Sequence, residues 1–200
     1  MQPIDAPVSG GSVKALAGKM TIMASGDPKA FERAAPALDA IAGKVFRLGD
    51  TPGLGSQVKM VNQLLAGVHI AATAEAMTLG AKIGIDLQQL HEVICECAGS
   101  SWMFENRGAH IVAGDYTPHS AVDIFVKDLG IVASEAGKAG CNTPLTSAAL
   151  ALFQQASAAG LGREDDSAVA KILAASAKVD LPGVDLPGVD LPEVTTADTR

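Results

Sequence analysis

Lys59 and Asn62 stand three residues apart, with Gln63 four from Lys59, in a stretch that is otherwise apolar. On a helix this spacing puts all three side chains on one side. An ammonium drawn out of water holds its proton less tightly, as a group that trades protons near neutral pH must. Asn62 can hydrogen-bond a substrate hydroxyl or orient the lysine. The same pattern also describes a lysine whose stem covers apolar surface while its head reaches solvent. Upstream, Ser9-Gly10-Gly11 follows a short extended stretch. Two glycines let a backbone approach a ligand closely, and their N–H groups can hold a carboxylate, with the Ser9 hydroxyl as a further donor. Standing alone, Ser-Gly-Gly reads equally well as a plain turn. Lys127-Asp128 interrupts an apolar run from Val122 to Val132, and its local reading is a salt-bridged or snorkelling lysine on an amphipathic helix.

Other chemistries find no support. Gly53-Leu-Gly55 follows an expected strand and opens an expected helix, as a dinucleotide fingerprint does. The third glycine would fall at Val58, and no acidic strand end follows at the required distance. These glycines read as the tight entry to a helix. No pyrophosphate site is visible, so tight cofactor binding by these residues alone is not expected. His69, His91, His110 and His119 show no metal-ligand pattern, and there is no nucleophile elbow or Walker loop. Cys95 and Cys97 lie two apart in a helical stretch and face different directions, so they read as buried apolar cysteines.

The elements that must hold these residues change character near residue 50. Lys19–Ala24 is an apolar, β-branched run ended by Ser25-Gly26. Asp27-Pro28 caps a helix, and Lys44–Leu48 reads as a second strand. Strand, helix, strand is the unit of a parallel or mixed sheet. From Gly53 an apolar-rich pattern without breakers runs to about Ile83, a buried helix of roughly thirty residues where the usual mean is about twelve. Later helices are expected near 86–97, 101–112, 120–139, 143–159 and 166–177. The tail repeats Val-Asp-Leu-Pro-Gly from Val179, from Val184 and, closing on Glu193, from Val189. A proline every fifth residue forbids helix and central strand, so 178–200 reads as a disordered extension, with a docking peptide as the sharper alternative.

The fold class expected is mainly α. Residues 1–50 form a small α/β remnant of a Rossmann-type domain, 51–177 an all-helical domain with a long central helix, and 178–200 the tail. The chain has 200 residues, 48% of them hydrophobic and only 4% aromatic, so its core must be built from Ala, Leu, Val and Ile. A net charge of −7 without a Lys/Arg cluster argues against nucleic acid. No run of 18 apolar residues occurs, and no membrane span is expected. Three cysteines and no signal-like N-terminus suggest the reducing cytoplasm. The long helix and the Ala-rich helices after it offer more apolar surface than one small domain encloses, so a homo-oligomer is expected.

Asp5-Ala-Pro-Val-Ser-Gly-Gly11, Gly55-Ser-Gln-Val-Lys59-Met-Val-Asn62 and Val126-Lys127-Asp128-Leu-Gly130 together resemble the β-hydroxyacid dehydrogenases related to 3-hydroxyisobutyrate dehydrogenase. The likeness covers about residues 5–176. It implies an oxidoreductase using NAD or NADP. It further implies that Lys59 is the catalytic acid/base, that Ser9, Gly10 and Gly11 bind the substrate carboxylate, with Asn62 orienting the acid, and that Lys127 reaches the nicotinamide cofactor. In that family a complete dinucleotide-binding domain precedes the heptad, whereas here Met1 to Ile4 precede it. The sequence is thus expected to be the substrate-and-catalysis portion of such an enzyme, inactive alone. Ser100–Arg107, Gly114–Pro118, Ala121–Val126, Gly67–Ile70 and Glu164–Ser167 are similar to the branch acting on the four-carbon sugar acid L-threonate. The rival reading is a non-catalytic helical fragment that self-associates or pairs with a separate cofactor domain.

Overall fold

The computed structural model describes residues 3–184. The chain divides into two compact units, Met1–Leu64 and Leu65–Arg200. The division falls inside the long helix, further along the chain than the change of texture at 49–55.

The first unit is built on a four-stranded sheet. β1 (Ile4–Asp5) and β2 (Val8–Ser9) are followed by α1 (Gly11–Leu16), β3 (Met20–Gly26), α2 (Pro28–Ile41) and β4 (Ala42–Gly49). β1 and β2 pair antiparallel with the same strand in one continuous register, Ile4 opposite Gly26 and Ser9 opposite Thr21. They are one edge interrupted at Ala6-Pro7. Pro7 has no N–H to donate, but its carbonyl accepts from the Met23 N–H at 2.9 Å. On the other side β4 runs parallel to β3, Ile22 opposite Val45. The helix between them starts where Asp27 accepts hydrogen bonds from the Lys29 and Ala30 N–H groups. Gly43, which as a glycine reads as a helix end, lies within β4. Ile22, Ala24 and Phe31 form this unit's core, with Val45 and Leu38 packed against them.

α3 (Leu54–Lys82) has 29 residues, the expected long helix. By length and composition it is apolar enough to cross a membrane, although no unbroken run of 18 apolar residues suggested it. Its stripe Ala66, Ile70, Ala74 and Met77 is buried in the second unit's core, which is the ordinary position of a central helix in a bundle. α4 (Leu87–Cys95), α5 (Trp102–Ala113), α6 (Val122–Lys138), α7 (Pro144–Ala156) and α8 (Val169–Ala177) complete that unit. Asp86 and Ser101 cap α4 and α5. The core is largely aliphatic and alanine-rich, with Phe125 and Phe153 stacked at 5.2 Å.

Three details differ from expectation. By size and apolarity Trp102 and Phe104 both read as core anchors; Phe104 is buried, but Trp102 occupies the first turn of α5 and is 57% exposed. Cys95 packs against the core, whereas Cys97, just past the end of α4, is exposed. The tail does not leave the fold at 178. Leu181 is buried, and Val179 and Val184 pack against the same core, because α8 ends in a left-handed turn at Lys178 that folds the chain back. Residues 185–200, the rest of the expected extension, lie outside the described residues.

The second unit also buries charge. The Arg107 guanidinium is paired with Asp166 through Nε and Nη2, the latter at 3.0 Å from Oδ2. Neighbouring Asp165 accepts from the Ser167 hydroxyl at 2.7 Å and the His119 N–H at 3.0 Å, and its Oδ1 meets His110 Nδ1 at 3.1 Å. Burial alone would raise the Asp165 pKa. The Ser167 hydroxyl, the Arg107 charge and the His119 N–H outweigh it and hold that carboxyl below its ordinary value. At Asp166 burial prevails over Arg107 and the pKa is raised.

Candidate active site

The first turns of α3 carry Lys59 and Asn62 of the candidate site, together with the anchor of the helix. Four free N–H groups open any helix, and here Asp5 and Ser25 take three of them. Asp5 Oδ2 accepts from Gly53 N at 3.1 Å and Ser56 N at 2.8 Å, while Oδ1 accepts from the Ser56 hydroxyl at 2.6 Å. Ser25 Oγ accepts from Gly55 N and Gly53 N, each at 3.1 Å, and donates to Asp5 at 3.4 Å. Burial would raise the Asp5 pKa, but the hydrogen bonds from Ser56, Gly53 and Ser25 prevail and lower it. This ties β1 and β3 to the first turn of α3. It also gives the physical reason why Gly53-Leu-Gly55 is not a pyrophosphate loop. The N–H groups such a loop would offer an anion already hold a carboxylate of the chain itself.

Gly55 cannot be enlarged, since a Cβ there would lie 2.3 Å from the Met23 carbonyl oxygen. Seen along the helix, Ser56, Lys59 and Gln63 share a side, at spacings of three and four. The anchored Ser56 is thus directly below Lys59. Lys59 and Asn62 are both half-buried, and Asn62 Nδ2 donates to Gln63 Oε1 at 3.0 Å. Ser9 ends β2, paired with Thr21. Gly10 and Gly11 follow with φ of +136° and +63°, values that residues with a Cβ rarely adopt. Ser9, Gly10, Gly11, Lys59 and Asn62 therefore belong to one compact unit. Lys127 belongs to the other, on α6, where its ammonium is exposed and meets Asp128 at 2.8 Å. Asp5 carries no capping signal readable locally, because Gly53 and Ser56, whose N–H groups it accepts from, lie 48 and 51 positions further along the chain.

Asp5→Ala is expected to lower stability by about 1–2 kcal/mol, the usual worth of a helix-capping side chain. Thermal unfolding measures it, and an unchanged transition would show that water replaces the carboxylate without loss.

A strand–helix–strand unit leading into a long helix with a lysine and an amide on one side, then an all-helical unit, is the architecture expected for the second part of a hydroxyacid dehydrogenase. Comparison with known proteins agrees. Residues 53–173 match the family described as NAD-binding of NADP-dependent 3-hydroxyisobutyrate dehydrogenase, and residues 1–49 match the NAD binding domain of 6-phosphogluconate dehydrogenase. The chain belongs to the 3-hydroxyisobutyrate dehydrogenase family. It is 61% identical over 183 residues to L-threonate dehydrogenase of Escherichia coli K12, covering 92% of this chain and 60% of that protein. It is 44% identical to 2-(hydroxymethyl)glutarate dehydrogenase of Eubacterium barkeri, covering 84% and 56%. A crystal structure of 3-hydroxyisobutyrate dehydrogenase from Salmonella typhimurium superimposes with a TM-score of 0.81 at 62% identity, over 84% of this chain and 59% of that one. The chain thus spans about 60% of the length of the L-threonate dehydrogenases it matches.

Proposed function

We propose that this chain forms the substrate-binding and proton-transfer portion of an NAD(P)-dependent dehydrogenase that oxidises L-threonate to a keto acid. The observation that carries the reading is the 61% identity over 183 residues to L-threonate dehydrogenases, a span long enough to include Lys59, Asn62 and Lys127. Lys59 takes the proton from the substrate hydroxyl as the carbon–hydrogen bond gives up its hydride. The backbone N–H groups of Gly10 and Gly11 and the Ser9 hydroxyl hold the carboxylate, and Asn62 orients the hydroxyl. NAD or NADP, when bound, accepts the hydride; Lys127 is the residue of the helical unit assigned to contact it. The protein's own contribution is geometry and proton transfer. Val58, Val61, Leu65 and Leu79 along α3, and Ile83 just past its end, leave apolar surface exposed, which supports a further copy of the chain as partner.

The test joins a complete dinucleotide-binding domain ahead of Asp5, or supplies one as a separate chain. Cofactor reduction is then followed with L-threonate, 3-hydroxyisobutyrate and 2-(hydroxymethyl)glutarate. L-Threonate is expected to give the highest kcat/KM by at least about tenfold. A preference for either competitor would remove the substrate assignment while leaving the dehydrogenase class intact.

A further inference from the structure

We propose that the place where the first tail repeat is seated is a binding site for a Val-Asp-Leu-Pro-Gly turn. The second repeat of the same chain, residues 184–188, can fill it in place of the first, whereas the third repeat is refused. The seat belongs to the helical unit. α8 ends as the Val179 N–H donates to the Ala174 carbonyl at 3.1 Å, and Leu181 then enters the core at 5% exposure. The Val184 N–H donates to the Leu181 carbonyl at 3.2 Å and closes a turn. Pro182 takes its second position and Gly183, with φ of +65°, its third, the residues that such a turn favours.

Selectivity comes from the glycine. Gly183 lies directly on Gly114, the left-handed residue that ends α5. A Cβ built on Gly183 would lie 2.3 Å from the Gly114 carbonyl oxygen, and one on Gly114 would lie 2.8 Å from the Gly183 nitrogen. The seat therefore demands glycine for two independent reasons, its φ and its contact. Repeat two offers the same five residues, Val-Asp-Leu-Pro-Gly, followed like the first by valine. Repeat three places Glu193 where glycine is required.

When repeat two is seated, residues 179–183 become a short loop. Closing it costs only modest entropy, and a tether of that length keeps repeat two at a high effective concentration. This favours the chain's own tail over that of a second copy. Two of the three repeats are thus interchangeable, and the tail has two docking registers.

The experiment is thermal unfolding of the full 200-residue chain and four variants. Gly188→Glu alone should leave Tm unchanged to within about 1 °C, because repeat one holds the seat. Gly183→Glu should lower Tm slightly, because repeat two replaces it. Gly183→Glu with Gly188→Glu should lower Tm by about 5 °C or more, well beyond the sum of the single shifts. Adding Glu193→Gly to that pair should return part of the loss by making repeat three acceptable. If the double variant is no less stable than Gly183→Glu, repeat two does not take the seat and the proposal fails. Lack of rescue by Glu193→Gly would overturn the glycine rule. A Tm of Gly183→Glu that rises between about 1 and 100 µM protein would assign the seat to a second copy's tail and overturn the same-chain assignment.

Discussion

Lys59→Ala is expected to lower kcat at least about a hundredfold in the dehydrogenase carrying its dinucleotide-binding domain, with KM changed little. Alanine at this point cannot accept the hydroxyl proton. The residues proposed to bind the carboxylate stay in place, because Ser9 ends β2 and Gly10 and Gly11 lead into α1, not α3. Stability should also be nearly unaffected. The helix entry is held by Asp5 and Ser25 one turn earlier, and alanine is the best helix former. Steady-state kinetics with L-threonate, together with an unfolding curve, separates loss of chemistry from loss of fold. Near-normal turnover would remove Lys59 from the mechanism and return it to the reading of a lysine with a solvated head.

The second large effect is on stability. Arg107→Leu should destabilise the helical unit by about 3–5 kcal/mol, the cost of stranding a buried charge. It removes the cation from beside Asp165 and Asp166, both fully buried. For a chain of this size that corresponds to a fall in Tm of roughly 6–20 °C. Adding Asp166→Leu removes one stranded carboxylate and should return part of the loss. A single variant within about 1 kcal/mol of wild type would show that the pair contributes nothing beyond its shape. The pH dependence has a definite sign. Asp165 has a lowered native pKa, so its contribution is complete above the unfolded value of about 3.9 and is lost as pH falls through the native one. Asp166, raised by burial, contributes in the opposite direction, and Arg107→Leu should therefore weaken the Asp165 acid limb most.

Much of the frame was legible because it is local. The capping residues Asp27, Asp86 and Ser101 announce their helices within three positions. The breaker-free pattern after Gly53 announces α3 within two or three residues at each end. The heptad, the Lys59–Asn62 spacing and Lys127 named their family from the residues alone. What was not legible depends on residues far apart in sequence. Asp5 meets Ser56 across 51 positions and Arg107 meets Asp166 across 59. Neither partner carries a local mark of the other. Trp102 read as core because it is large and apolar; its exposure is set by which face of α5 meets the bundle. The seat of the first repeat was not legible, because proline periodicity excludes helix and strand and leaves a docked turn open but does not say on which element it docks.

The chain has one tyrosine, Tyr116. Its ring is buried beside the Lys171 ammonium, 4.4 Å away, and its hydroxyl has no hydrogen-bond partner among the described residues. Burial, with Glu164 and Asp165 nearby, raises its pKa far above the usual value. A phenol in that setting is a built-in optical indicator. In alkali the phenolate absorbance band stays silent while the helical unit is closed and appears when it opens. A single spectrophotometric titration therefore reads the opening of one unit, without a label and without interference from a second phenol.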